Sequence, residues 1–131
     1  MNSTDQIEKK QIKTRVGDLM LDAEGLVYGT TLIDKHTQTE EDILDLLAAL
    51  KQLTDGKKHP FLADTQSVRF VSREARRIAA DSDLVSACAF LVGSPVSRMM
   101  GNFFIKVSKP KYPTRLFTDR DKAIEWLRQF L

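Results

Sequence analysis

The side chains best suited to catalysis stand where strands are predicted to end. In an open α/β sheet, ligands bind at the carboxyl ends of the parallel strands. That rim would combine the residue types of a hydrolase in the set Asp34, His36, Asp64, Thr65, Gly93, Ser94 and Thr118. However, Ser94 lacks the Gly-x-Ser-x-Gly turn that presents a nucleophile, and no spacing places His36 within hydrogen-bonding reach of it. We assign no catalytic residue, and a hydrolase is the third of three functional hypotheses.

The histidines and the cysteine do not form a metal motif. His36 and His59 have no ligand-like spacing to acids or to Cys88, so we expect no metal and no cofactor. As the single cysteine, Cys88 cannot form an intramolecular disulfide, which fits a reducing compartment. Its place within an uncharged segment predicts burial rather than a reactive thiol.

The turn Gly93-Ser94-Pro95 is a candidate ligand site, because free N–H groups at the start of a helix favour an anion. Arg98 would lie one turn further on. The alternative is a capped helix that faces water. Met99 and Phe103 suit a lipid pocket between helix 96–107 and the sheet, or ordinary core packing. The candidate ligand-binding residues are Asp64, Gly93, Ser94, Arg98, Met99 and Phe103.

Two groups of cations are candidate binding surfaces. A predicted helix capped by Ser72 would bury a small apolar face and carry Arg73, Arg76 and Arg77 on its outer face, where a protein partner would bind. Four cations without an acid between them would hold a phosphate or an anionic headgroup, unless they form a solvated face. These four are Lys106, Lys109, Lys111 and Arg115.

One uncharged segment positions all of these residues. Leu84–Val92 has no charge in nine residues, which predicts a strand buried on both faces. Helical spacing follows at once, with Ser94 as the N-cap, Pro95 as the first helical residue and an apolar stripe that we expect to cover the sheet. The stripe consists of Val96, Met99, Met100, Phe103, Phe104 and Val107. Gly101 within it indicates close packing of the backbone.

The other segments complete an α/β fold. Residues 7–16 suit a charged edge strand or a loose arm, and a hairpin turns at Gly25 and runs to about Asp34. Further helices are predicted from Thr37 or Thr39 to Gly56, from Ser72, and from Thr118, with strands at 60–64 and 114–117. The sequence therefore predicts a mixed sheet, antiparallel in its N-terminal hairpin and parallel in the βα units that follow, with four helices.

Composition is that of an ordinary globular protein. The 131 residues predict one domain over 1–131, with 42% hydrophobic and 29% charged residues. A formal charge of +2 is too small to indicate nucleic acid. The N-terminal residues lack a signal-peptide core, and no apolar run reaches the ~18 residues of a membrane span, so we expect a cytoplasmic protein.

The element order and the segment Phe61-Leu62-Ala63-Asp64-Thr65-Gln66-Ser67-Val68-Arg69-Phe70-Val71-Ser72 resemble the STAS domain of bacterial anti-sigma factor antagonists. The ending Pro113-Thr114-Arg115-Leu116-Phe117-Thr118, with Ala123 and Trp126-Leu127, resembles the uncharacterised SpoIIAA-like proteins of that group. The resemblance covers about residues 15–131. It implies their fold, a regulatory role, and a likeness to the CRAL-TRIO lipid-binding domains.

The sequence departs from the antagonists at the phosphorylation site. The antagonists carry Asp-Ser or Asp-Thr at the start of the helix that follows the Val-x-Phe step. The resemblance places Ser72 on that Asp and Arg73 on the phospho-acceptor, so a phosphorylated Ser72 would require a one-residue slip. A plain helix N-cap is the alternative.

We therefore expect a non-catalytic regulatory or binding module that acts through protein contacts of the Ser72–Arg77 helix. The second hypothesis is a carrier of a small lipid or anionic ligand, with its pocket between helix 96–107 and the sheet. Pairing through the exposed hairpin edge, or through a helix face, would give a homodimer.

Overall fold

A six-stranded mixed sheet organises the chain. The computed structural model describes residues 10–32 and 35–131. The strands are β1 (Lys10–Lys13), β2 (Gly17–Leu21), β3 (Val27–Thr31), β4 (Thr37–Gln38), β5 (His59–Asp64), β6 (Phe70–Val71), β7 (Val85–Leu91) and β8 (Thr114–Phe117). The α-helices of this part are α1 (Glu40–Thr54), α2 (Arg73–Ala80), α3 (Pro95–Phe103) and α4 (Arg120–Leu127), with a π-helical turn (Phe104–Ser108) after α3 and a 3₁₀ turn (Arg128–Phe130) after α4.

The large sheet has the order β1-β2-β3-β5-β7-β8. Pairing is antiparallel from β1 to β3 and parallel from β3 to β8, which confirms the predicted mixed sheet and its four helices. Two details were not predicted from the sequence. β8 is an edge strand of the large sheet, and β4 and β6 form a small parallel sheet of their own.

The uncharged segment lies inside the sheet, as expected. β7 pairs with β5 on one side and with β8 on the other, and Cys88 is buried. Cys88 belongs to a core cluster with residues of α1, whereas Ala87 and Ala89 belong to a second cluster with residues of α4. Helices therefore cover both faces of this strand.

Two helix boundaries were predicted with small errors. Of the two residues predicted to start α1, Thr39 is the N-cap, and it forms a capping box with Asp42. The C-cap of α1 is Asp55, one position before the predicted Gly56, and both residues have a positive φ. Asp119 replaces Thr118 as the N-cap of α4, because the carboxylate accepts hydrogen bonds from two backbone N–H groups.

The expected orientation of α3 was wrong. Ser94 caps the helix and Pro95 is its first residue, as predicted, but the buried positions are Ser97 and Gly101, with Phe104 in the turn that follows. A Cβ atom on Gly101 would lie 2.5 Å from Leu116 Cδ2, so the helix meets β8 at a residue that has no side chain. Since that face is turned to the sheet, most of the apolar stripe is exposed.

Asp42 fixes the start of α1. Its Oδ2 accepts a hydrogen bond from Thr39 N at 2.9 Å and lies 3.0 Å from Lys35 Nζ, while Arg15 Nε lies 3.3 Å from Oδ1. Burial alone would raise the pKa of this carboxyl, but the hydrogen bond from Thr39 and the charge of Lys35 outweigh burial and lower the pKa below its usual value.

We predict that Asp42 makes folding sensitive to acid. A carboxyl whose pKa is lowered by folding stabilises the protein above its unfolded pKa of about 3.9, and this stabilisation is lost as the pH falls through the folded value. Asp42→Asn should lower the free energy of unfolding at pH 7 by about 1–3 kcal/mol and flatten its decline in acid. Urea titrations across the acid range would measure both effects.

Glu40→Gln is the matched control, because Glu40 is an exposed acid of the same first turn. It should leave the acid dependence nearly unchanged. Equal acid dependence in Asp42→Asn and the wild type would contradict the assigned role of Asp42.

Candidate binding cavity

The helices that cover one face of the sheet enclose a cavity of about 390 Å³. α1, α2 and α3 all contribute to its walls, while α4 packs on the opposite face. Ligand pockets in proteins typically measure about 300–1,000 Å³. The space is therefore large enough for a small molecule.

Three residues side by side on neighbouring strands form the floor of the cavity. Gly29 pairs with Ala63, and Ala63 pairs with Phe90. A Cβ atom on Gly29 would lie 2.8 Å from two ring atoms of Phe61, so the ring occupies the space that a side chain there would fill. Ala63 and Phe90 lie on inner strands, yet both are only partly buried. The floor is therefore accessible from the cavity.

The opposite face of the same strands is sealed. Leu62 on β5 and Ala89 on β7 are buried against Ala123 and Leu127 of α4. Successive residues of a strand point to opposite faces, so one strand contributes both to a closed core and to an open cavity.

Three hydroxyl groups that line the cavity already have partners within the protein. Thr31 Oγ1 donates to Asp64 O at 2.7 Å, Thr65 Oγ1 donates to Leu91 O at 3.1 Å, and the Tyr112 hydroxyl donates to Ala79 O at 2.7 Å. In the described residues, no cavity-lining side chain has a buried polar atom without a partner. An occupant would therefore meet mainly apolar surface.

The ionisable groups deep in the cavity are neutral near pH 7. Burial raises the pKa of the Cys88 thiol, and burial likewise raises the pKa of the Tyr112 hydroxyl. The thiolate is the reactive form of cysteine, so the structure agrees with the expectation that Cys88 is an inert buried residue.

Aromatic and cationic side chains line the cavity where it meets the surface. Phe70, Met99 and Phe103 all line it and are all exposed. The Arg76 guanidinium carbon lies 4.8 Å from the centre of the Phe103 ring, and Arg76 Nη1 donates to Val71 O at 2.6 Å. These contacts hold a positive charge beside an apolar opening, which we call the mouth and define by Phe70, Arg76, Met99 and Phe103.

The predicted ligand-binding residues divide between two places. Gly93, Ser94 and Arg98 line a more open depression at the strand-end rim, whereas Phe103 lines the cavity and Met99 contributes to both. Asp64 lines neither place, and its Oδ1 accepts hydrogen bonds from Gln66 N and Nε2.

Ser94 acts as a capping residue. Its hydroxyl oxygen accepts a hydrogen bond from Ser97 N at 3.1 Å and lies 3.1 Å from Ser97 Oγ. The structure thus gives Ser94 a role in starting α3.

The predicted cationic surfaces are only partly formed. Ser72 caps α2 by accepting a hydrogen bond from Ala75 N, and Arg73 and Arg77 are exposed, as expected. Arg76 was placed on the same outer face, but it turns to the mouth because it stacks on Phe103 and binds Val71 O.

The predicted anion patch does not form as one surface. Lys106 and Lys109 are exposed after α3, but Lys111 Nζ lies 3.3 Å from Asp81 and 3.2 Å from Asp83. Arg115 instead stacks near Phe117 and Trp126, on the side of the sheet where α4 packs. Lys111 is thus paired with acids that lie far from it in the sequence. Arg115 lies on a strand whose side chains alternate between the two faces of the sheet, which places it away from the other three cations.

The histidines bind backbone oxygens rather than each other. His36 Nδ1 donates to Ser67 O and His59 Nδ1 donates to Gly25 O, each at 2.8 Å. Asp34 lies outside the described residues. Over residues 10–32 and 35–131, no group of three or more His, Cys, Asp or Glu side chains is arranged to hold a metal ion.

The sequence did not identify Gly29, Phe61, Ala63 and Phe90 as cavity residues. A weak signal was present, since a glycine and an alanine lie at mid-strand positions that large side chains usually fill. Their register across β3, β5 and β7 is what brings them together.

This architecture is a SpoIIAA-like fold. The chain is similar to the solved structure of an uncharacterised DUF3478-family protein with a SpoIIAA-like fold from Shewanella loihica PV-4, with a TM-score of 0.53, 13% identity and coverage of 91% of each chain. Residues 22–131 match the model of the domain of unknown function DUF7793, and the chain belongs to that family.

A protein of unknown function from Arthrobacter sp. FB24 is 30% identical, over 83% of this chain and 96% of that chain, with a TM-score of 0.31. No curated protein matches the chain. The first of these solved structures confirms the fold that the STAS-like resemblance implied. In the described part of the chain, no helix combines the length and apolar character needed to cross a bilayer.

Proposed function

We propose that the protein is a non-catalytic binding module whose cavity holds a small amphipathic molecule with an apolar body and an acidic end. The observation that carries this proposal is the accessible floor at Ala63 and Phe90, on strands that are sealed on their other face. A core that only stabilised the fold would gain free energy by closing over this apolar surface.

The lining argues for an apolar body. The hydroxyls of Thr31, Thr65 and Tyr112 are satisfied within the protein, so a polar ligand would lose its hydrogen bonds to water without replacing them. An alkyl chain forms no hydrogen bonds to water and therefore loses none on entering the cavity. Met100 of α3 and Phe104 of the following turn give this wall the adaptable and aromatic surface that suits such a chain.

The mouth argues for an acidic end. Arg76 carries its charge beside Phe103, and Arg69 also lines the cavity. Asp18 is the one acid among the described lining residues, and Gln11 Nε2 donates to it at 3.4 Å. A carboxylate would be favoured next to Arg76, because a guanidinium can donate two parallel hydrogen bonds to it.

Protein contact through α2 is a second candidate function. The observation that favours it is the exposure of Arg73 and Arg77, neither of which forms an ion pair with any described residue. Changing both to glutamate should then weaken capture of a partner identified by cross-linking.

Partly filling the cavity should weaken ligand binding without unfolding the protein. We predict that Ala63→Phe weakens binding of myristate, used below its critical micelle concentration, by at least about tenfold, because the added ring occupies the floor. Isothermal titration calorimetry would measure it. Ala48→Phe, at an exposed position of α1, is the matched control and should bind like the wild type. Failure of the wild-type protein to bind any apolar probe would contradict the proposal.

The headgroup contact can be tested separately. Arg76→Ala should weaken the binding of myristate by about tenfold and leave the affinity for tetradecanol almost unchanged, because only the carboxylate of myristate interacts with the charge of Arg76. Arg77→Ala removes an exposed arginine from the same helix that does not line the cavity, so it should change neither affinity. Equal losses for the acid and the alcohol in Arg76→Ala would show that Arg76 contributes packing alone.

A further inference from the structure

An exposed apolar stripe runs along α3 and the π-helical turn. Val96, Met99, Phe103 and Val107 are 40%, 65%, 43% and 58% exposed. Their spacing of three and four residues places them on one face of the helix. Monomeric proteins rarely leave contiguous apolar surface of this kind in water unless it binds something.

The segment that carries this stripe has charges of one sign. From Leu84 to Thr118 the sequence contains no aspartate or glutamate. Arg98, Asn102 and Lys106 follow one another at intervals of four and form the row beside the stripe, and all three are exposed. On its other side, Arg76 lies against Phe103. The surface is therefore an apolar strip between cations.

We infer that this face, defined by Val96, Arg98, Met99, Phe103, Lys106 and Val107, docks onto the anionic surface of a lipid bilayer. Helices that lie in a membrane interface combine an apolar face with flanking cations. The apolar side chains enter the acyl boundary while Arg98 and Lys106 meet anionic headgroups, each cation raising the affinity about fivefold. An anionic bilayer therefore complements both the apolar stripe and the cations beside it.

Docking through this face would also bring the mouth of the cavity close to the bilayer. Met99 and Phe103 belong both to the docking face and to the mouth, so docking would turn the mouth toward the lipid. The inference does not rest on the proposed ligand, because the stripe and its cations are present whether or not the cavity is filled.

Cosedimentation of the full chain with vesicles tests the inference. Vesicles of phosphatidylcholine alone should bind weakly, and an equimolar mixture with phosphatidylglycerol should bind at least about tenfold more tightly, with an affinity that falls as salt is raised. Equal binding to both vesicle types, or none to either, would overturn the inference.

Two kinds of variant identify the face. Met99→Glu with Val107→Glu should reduce binding at least about tenfold, whereas Leu44→Glu, an equally apolar and exposed position on α1, should not. Arg98→Glu with Lys106→Glu should likewise reduce vesicle binding at least about tenfold. Lys51→Glu with Lys57→Glu, which changes two exposed lysines outside this face, should have a much smaller effect. Thermal unfolding would confirm that each variant is folded.

The outcomes separate the two proposals. Ala63→Phe should retain vesicle binding while its affinity for myristate falls. Vesicle binding that falls as much in Leu44→Glu as in Met99→Glu with Val107→Glu would overturn the inference. Self-association of the wild type that Met99→Glu with Val107→Glu abolishes, without vesicle binding, would show that the face binds a second copy of the chain instead.

Discussion

The close approach of Gly101 to Leu116 decides where α3 lies on the sheet. A helix normally covers a sheet with its largest apolar side chains, but here Ser97 and Gly101 are the buried residues of α3, and Gly101 lies against Leu116 of β8. The helix can come so near the edge strand because its contact residue has no side chain. Two consequences follow together: the apolar stripe of α3 points outward, and the space beside β5 and β7 is left unfilled.

The two faces of the sheet therefore differ: one forms a closed core and the other forms the floor of the cavity. On one face, α4 packs its alanine and leucine side chains against Leu62 and Ala89 and closes the core. On the other, α1 to α3 stand around a floor of Gly29, Ala63 and Phe90. The sealed face supplies stability, which allows the other to keep accessible apolar surface that costs free energy. The capping of α1 by Thr39 and Asp42 supports the wall of the cavity, because Ile43, Leu46 and Leu47, which line it, lie in the turns that follow the cap.

Much of the fold was predictable because its signals are local. An uncharged run predicts an inner strand, and Ser94-Pro95 predicts a helix start, each without knowledge of the neighbours. The direction in which α3 faces was not predictable. Periodicity shows which residues share a face, but the identity of the buried face depended on a contact with Leu116, fifteen residues beyond Gly101. The same limit applies to Lys111, whose partners Asp81 and Asp83 precede β7, and to Phe70, whose strand pairs with Thr37.

The central claim is that the two faces of β5 and β7 differ in their access to a ligand, and methyl NMR tests it most directly. In protein labelled at alanine methyl groups, titration with myristate should shift the Ala63 signal, while Ala87 and Ala89, one strand away and buried against α4, should stay nearly constant. Shifts at Ala87 and Ala89 equal to that of Ala63, or shifts confined to exposed alanines such as Ala48, would contradict the account.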